Sequence, residues 1–363
     1  MTVSRTAFAQ GGGNTGDGGP DGDYRSLYEM VLGQQKKNDV FNLYVNAGGG
    51  FRADDCSGDW KGAFKARNLR LEIKGKVGEH FSYRIRHKLN ESSSAQAIDN
   101  FALATDLMVL GWRFNEHWLL QGGKICQTWG GFEFDENPIY IYRFSDFTGG
   151  IDCFTAGAIL SWFPVPEHEF ALNIANSYSS GHDGARLPLT YILNWNGSML
   201  GGRLLTRWGI GTQVTAAGEH TDRLMLGTGL NLPSLRWYVD LMGSRESLDF
   251  TGVVSRPFPA PLEDVRYLSA VTRADWEFSP GWVLIGKGRL ERADVSGIDN
   301  FRTSFGGVAA IEYHPMKEQD LRLFVALISD KYFFKEKSYG STGLAGRATH
   351  QIEVGFILRL KAY

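Results

Sequence analysis

QIEVGFILRLKAY, Gln351 to Tyr363, puts Ile352, Val354, Phe356, Leu358, Leu360 and Ala362 on one parity and Glu353, Arg359 and Lys361 on the other. A period of two is a strand, because successive side chains of an extended chain point to opposite sides of a sheet. A strand this long, apolar on one face and ionic on the other, suits a wall with lipid on one side and water on the other.

The pattern recurs. In Ala66 to Val77, Leu69, Leu71, Ile73 and Val77 alternate with Arg70, Glu72, Lys74 and Lys76. In Phe81 to Asn90, Phe81, Tyr83, Ile85 and Leu89 alternate with Ser82, Arg84, Arg86 and Lys88. Further along, Leu235, Trp237, Val239 and Leu241 oppose Arg236 and Asp240, and Leu268, Ala270, Trp276 and Phe278 oppose Arg273, Asp275 and Glu277. Trp282, Leu284 and Leu290 oppose Lys287, Arg289 and Glu291, and Phe301, Phe305, Ala309, Ile311 and Tyr313 oppose Arg302, Ser304 and Glu312. The segments near Asp106 and Lys124 do not alternate cleanly and their faces stay unassigned. From Val40 onward the chain reads as about sixteen strands, roughly 20 residues per strand plus loop.

Connection lengths argue separately for the same architecture. Tight turns are expected at Gly78–His80, Asn115–His117, Pro164–His168, Leu232–Ser234, Ser279–Gly281 and His314–Asp320. Longer polar connections are expected at Ala53–Ala63, Glu91–Asn100, Thr128–Gly150, Ser179–Pro188, Glu246–Asp264 and Phe334–Ala348, with Gly218–Asp222 a short exception. Short and long alternate, as in an all-β, sixteen-stranded antiparallel transmembrane barrel whose ends differ.

Composition fits without deciding. The chain has 363 residues, is 43% hydrophobic and 21% charged, and contains no apolar run of the ~20 residues a spanning helix needs. Net charge is −2, from 38 basic and 40 acidic side chains, which excludes a globally basic nucleic-acid binder. Cys56, Cys126 and Cys153 lack metal-ligand spacing; a Cys126–Cys153 bridge stays open, with free thiols favoured. Ala7-Phe8-Ala9 has the small-residue pattern of a signal-peptidase site without the apolar segment that should precede it. Residues 1–38 are expected to hold this remnant, a Gly-rich leader (Gln10 to Gly22) and a short periplasmic helix within Tyr24 to Asn38, with the barrel over 39–363.

FKARNLRLEIKGKVGEHFSYRIRHKLN (Phe64 to Asn90), AIDNFALATDLMVLGWRFNEHWLLQGGK (Ala97 to Lys124) and WGGFEFDENPIYIYRFSD (Trp129 to Asp146) resemble the phosphate-selective porin O and P superfamily, particularly its Bacteroidetes branch. The resemblance is specific in the first half of the chain and a matter of pattern in the second. It implies a bacterial outer-membrane barrel of sixteen strands, a homotrimer that passes small solutes by diffusion. The arginine-rich ladder of the best-known members is matched in part.

The candidate site is the lumen face. Arg70, Lys74, Lys76, Arg84, Arg86 and Lys88 project from two adjacent strands with Glu72 as their local offset; Arg273, Lys287 and Arg289 share that parity further on. Cations in a narrow aqueous space with low-dielectric walls concentrate anions. The alternative is that they pair with lumen acids or with lipopolysaccharide at a rim. Thr128 to Gly150 is expected to fold inward as a constriction loop, with Glu133, Asp135, Glu136, Arg143 and Asp146 facing the basic wall across the pore. Asn137-Pro138 marks a turn within it. Trp162, Trp195, Trp208, Trp237, Trp276 and Trp282 lie near strand ends, as interfacial girdle residues do.

G-x-S-x-G, H-E-x-x-H and P-loop motifs are missing, the histidines do not cluster, and no cofactor is implied. The expected function is a diffusion porin biased toward anions such as phosphate, trimeric and embedded in outer-membrane lipid and lipopolysaccharide. The competing reading is a plugged barrel with an assembly or adhesion role.

Overall fold

The computed structural model describes residues 24–32, 39–56, 58–96, 98–177, 188–214, 219–256, 258, 260–335 and 346–363. The signal-like Ala7–Ala9 pattern, the Gly-rich leader and most of the Ser179–Pro188 and Phe334–Ala348 connections lie outside them.

A short helix, α1 (Leu27–Leu32), precedes sixteen strands. These are β1 (Asn42–Cys56), β2 (Asp59–Val77), β3 (Phe81–Lys88), β4 (Thr105–Arg113), β5 (Trp118–Cys126), β6 (Phe154–Val165), β7 (His168–Asn176) and β8 (Leu189–Met199). There follow β9 (Leu204–Val214), β10 (His220–Asn231), β11 (Leu235–Leu248), β12 (Glu263–Ser279), β13 (Trp282–Val295), β14 (Ile298–Tyr313), β15 (Asp320–Phe334) and β16 (Arg347–Lys361). Each pairs antiparallel with its chain neighbours, and β16 closes on β1 through Leu358↔Ala47 and Val354↔Phe51.

The expected faces hold in the long strands. On β16, Ile352, Val354 and Phe356 are exposed while Glu353 and Arg359 are buried in the interior. On β12 and β13, Leu268, Trp276, Leu284 and Leu290 are exposed, and Arg273, Asp275, Arg289 and Glu291 are buried. An arginine or lysine facing lipid at mid-bilayer costs about 2–4 kcal/mol. A strand carrying several cations of one parity therefore has one tolerable register. Phe301 departs from expectation: it is buried against Phe258 of the β11–β12 connection, ring centroids 6.4 Å apart.

One rim carries short turns, including Gly78–His80 and a turn at 200–203 that the pattern did not reveal. Above it runs an aromatic belt: Trp118–Trp162, Trp162–Phe170, Phe170–Trp195 and Trp195–Trp208 centroids are 6.3, 5.7, 6.1 and 5.2 Å apart. Helix α1 docks at this rim. Ser26 and Glu29 form a reciprocal cap at its start, Tyr28 N–H donates to Ala362 O at 3.2 Å, and the Tyr28 and Tyr363 rings lie 4.8 Å apart. The other rim corrects one expectation. Ala53–Ala63 is not a long loop: β1 and β2 stay paired to Cys56↔Asp59, so a tight hairpin joins them. The β13–β14 connection at 296–297 is equally short.

Candidate functional site

The β5–β6 connection turns into the barrel. Its neck is closed by a Cys126–Cys153 disulfide, Cα atoms 5.2 Å apart, where free thiols were favoured. Sequence gave no means to choose, because pairing depends on the two strand ends meeting, as Cys126↔Phe154 does. Beyond the neck, Trp129 is fully buried, and a short helix α2 (Phe132–Asp135) starts where Phe132 and Glu133 N–H groups donate to Asp240 on β11, both at 2.8 Å. Asn137 and Pro138 form the expected turn, with Asn137 Oδ1 accepting from Ile139 N–H at 3.3 Å. A second short helix, α3 (Asp146–Gly149), is capped by Ser145 and returns the chain, with Phe147 N–H donating to Glu291 on β13 at 2.8 Å.

The loop acids do not face the basic wall of β2 and β3. They face the wall the loop lies on. Glu133 pairs with Lys287 and accepts from Ser145 N–H at 2.8 Å. Asp135 lies 3.5 Å from Arg207, Glu136 3.1 Å from Arg273, and Asp146 3.2 Å from Arg289 and in contact with Arg302. Arg143 reaches Asp330 at 3.1 Å, Tyr140 donates to Asp320 at 2.5 Å and Tyr142 to Glu312 at 2.7 Å. The physical reason is proximity: buried carboxylates need a cation within hydrogen-bond reach, and β9 and β12–β14 supply one for each. Arg273, Lys287 and Arg289, expected as pore-lining, anion-attracting cations, are engaged by the loop. Burial pushes the Asp135 carboxyl up to about 6, against the pull of Arg207. Burial would also raise Glu133, but Lys287 and the hydrogen bonds to it hold that carboxyl below its usual value.

The other wall, β16 and β1 to β4, is different. Arg359, Asn46, Arg70 and Lys88 are register partners in one row across four strands, and Lys74 sits opposite Arg84. Like charges directly opposite on adjacent strands repel. Glu72 accepts from Arg84 at 2.8 Å and from Arg359 at 2.7 Å; Asp106 accepts from Arg86 at 2.8 Å and lies 3.9 Å from Arg70. Lys88 lies 3.8 Å from Glu91, and Lys76 is exposed near the Gly78 turn. Two guanidinium nitrogens of Arg70 and the amide nitrogen of Asn46 are buried without a hydrogen-bond partner. On this wall Arg359 and the six cations of β2 and β3 meet two inward carboxylates of β2 and β4, Glu72 and Asp106, with Glu91 near Lys88 and Glu353 buried on β16.

Two local breaks in strand register and one glycine in a left-handed conformation explain what alternation missed. Between Arg86 and His87 the pairing with β4 skips Asp106, so Asp106 and Leu107 both turn inward. Between Gly48 and Gly49 the pairing with β2 skips Arg67, which also turns inward although its parity matches the lipid-facing leucines. At Gly123, φ is +121°, a conformation that suits glycine. Lys124 beyond it is buried, donating to Gln96 at 2.7 Å and lying 3.6 Å from Asp99.

The family model described as phosphate-selective porin O and P matches residues 41–187, which hold β1 to β7 and the inward loop. No curated protein matches the chain. Among solved structures, the outer-membrane expressed OmpT of Vibrio cholerae is 8% identical, with a TM-score of 0.61 over 90% of this chain and 99% of that one. The anion-selective porin from Comamonas acidovorans is 13% identical, with a TM-score of 0.59 over 89% of this chain and 100% of that one. The Salmonella typhi OmpF complex with daunomycin is 13% identical, with a TM-score of 0.56 over 88% and 98%. At these identities the likeness is one of fold. With the family match over residues 41–187, it makes the chain similar to bacterial outer-membrane porins.

Proposed function

We propose that this barrel is an outer-membrane porin that passes small hydrophilic solutes by passive diffusion and favours anions such as phosphate, acting as a homotrimer among outer-membrane lipid and lipopolysaccharide. The observation that carries the anion bias is the β16–β4 wall, where Arg70 faces Lys88 and Lys74 faces Arg84 across adjacent strands. Like charges so placed repel, and Glu72 and Asp106 are each shared by more than one cation, so the field of this wall favours mobile anions, and low-dielectric walls intensify it. Each step is diffusive: the loop narrows the path, and the wall cations exchange part of an anion's hydration for N–H donors. Transport of this kind uses no catalytic group. A trimeric form is named for one OmpT structure of Vibrio cholerae, and anion selectivity for the Comamonas acidovorans porin.

Exchange of Arg84, Arg86 and Lys88 for glutamate tests the reading. The anion/cation permeability ratio from reversal potentials should fall, and phosphate added to the bath should lose its competition with chloride. An unchanged ratio would remove these side chains from the conduction path. The plugged-barrel reading has one observation in its favour, the tie between the loop tip and β2; a protein without conductance steps would support it.

A further inference from the structure

The tip of the inward loop is held from two sides. Tyr140 and Arg143 bind Asp320 and Asp330 on β15, and Tyr142 binds Glu312 on β14. Across the seam where β16 closes on β1, Arg67 of β2 donates to the Ile141 carbonyl oxygen. Its guanidinium lies 4.7 Å from the centroid of the Tyr142 ring and 5.6 Å from that of Phe324, which are themselves 4.9 Å apart edge to face. Glu353 on β16 stands 4.0 Å away. Arg67 is a side chain of the β2 wall that reaches this tip, and a register slip delivers it. Without the bulge its parity would send it to lipid, at a cost of about 2–4 kcal/mol.

The bulge has its own sequence requirement. Gly48-Gly49-Gly50 of β1 lies against it, and a Cβ on Gly49 would stand 2.8 Å from Lys65 O, while one on Gly50 would overlap Val354 O. Three strands therefore approach closely at the point where Arg67 turns inward.

We propose that Arg67 is the positioning residue that fixes the aperture of this channel, latching the loop tip to the wall across the barrel seam so that the loop cannot retract onto β13–β15. The inference rests on the porin reading. A guanidinium suits the task because one planar group can donate to a carbonyl and stack on two rings at once; an ammonium keeps the charge and loses the stacking.

The test compares wild type, Arg67→Met and Arg67→Lys in planar bilayers at about 1 M KCl, where a Debye length of about 3 Å suppresses the effect of the lost charge. The size limit for neutral polyethylene glycols entering the pore is measured beside conductance, because it is blind to charge. Gel migration with and without heating reports folding. Arg67→Met should raise single-channel conductance by about 1.5-fold and admit larger polymers. Arg67→Lys should fall between the two, and this carries the test if Arg67→Met does not fold. Equal conductance and polymer limit in wild type and Arg67→Lys, with Arg67→Met equal or unfolded, would overturn the latch while leaving the porin reading intact. A silent wild type with steps in Arg67→Met would overturn the open-pore reading and keep the latch. Silence in every folded variant would overturn both.

Discussion

Arg70 and Arg289 are the same residue type with the same inward parity, yet they occupy different surroundings. Arg289 lies beneath the loop with Glu291, Asp146 and Asp330, the last two at 3.2 and 2.8 Å. Arg70 stands on β2 away from the loop's acids, with Lys88 opposite and Asp106 at 3.9 Å. The loop has drawn the interior charge apart. Where it lies, each cation meets a loop carboxylate and becomes a mechanical anchor; on β2 and β3 several cations share Glu72 and Asp106. Charge on the inner face of a barrel is therefore no measure of selectivity until the inward segment has been traced.

The largest expected effect comes from removing an anchor. Lys287→Met strips the buried Glu133 carboxylate of its cation and should cost about 3–5 kcal/mol in a urea titration of the folded barrel. Lys88→Met, whose partner Glu91 is an exposed carboxylate 3.8 Å away, should cost within about 1 kcal/mol and instead lower the anion/cation ratio. Equal destabilisation by both would erase the distinction between the walls. Next in size, joint Cys126→Ser and Cys153→Ser exchange should cost about 2–4 kcal/mol by freeing the loop neck, with the sign of the reversal potential unchanged. A reversed sign would place part of the selectivity in the loop's placement.

The smallest effect is a titration. Because Asp135 is pushed up to about 6, it is ionised at pH 7.5 and largely neutral at pH 5. A carboxyl raised in this way disfavours the folded state when charged, so the fold gains stability as pH falls through 6 toward the ordinary carboxylate value. Neutralising it also uncovers Arg207, and the anion/cation ratio should rise by less than about twofold between pH 7.5 and 5. Asp135→Asn should flatten that rise; an identical rise in the variant would assign it elsewhere.

Much of this was legible in the sequence, and the failures share a cause. The faces of β11, β12, β13 and β16 follow from alternation because each strand runs without a bulge through the residues that matter. Arg67 and Asp106 were missed because one inserted residue inverts parity, and nothing in the local composition marks the insertion except the glycine run at 48–50. The inward turn of 128–150 was expected from its length and position, but the direction of its acids was not. That direction depends on which of several distant cations lies nearest, a property of the closed barrel. The β1–β2 hairpin was read as a loop because its polar residues look alike whether paired or not.

The reversal potential of the wild-type channel in a KCl gradient tests the account most directly. A single-channel current that reverses on the chloride side of zero is predicted, with the shift enlarged at low salt. Reversal on the potassium side, or no displacement at any salt concentration, would contradict it.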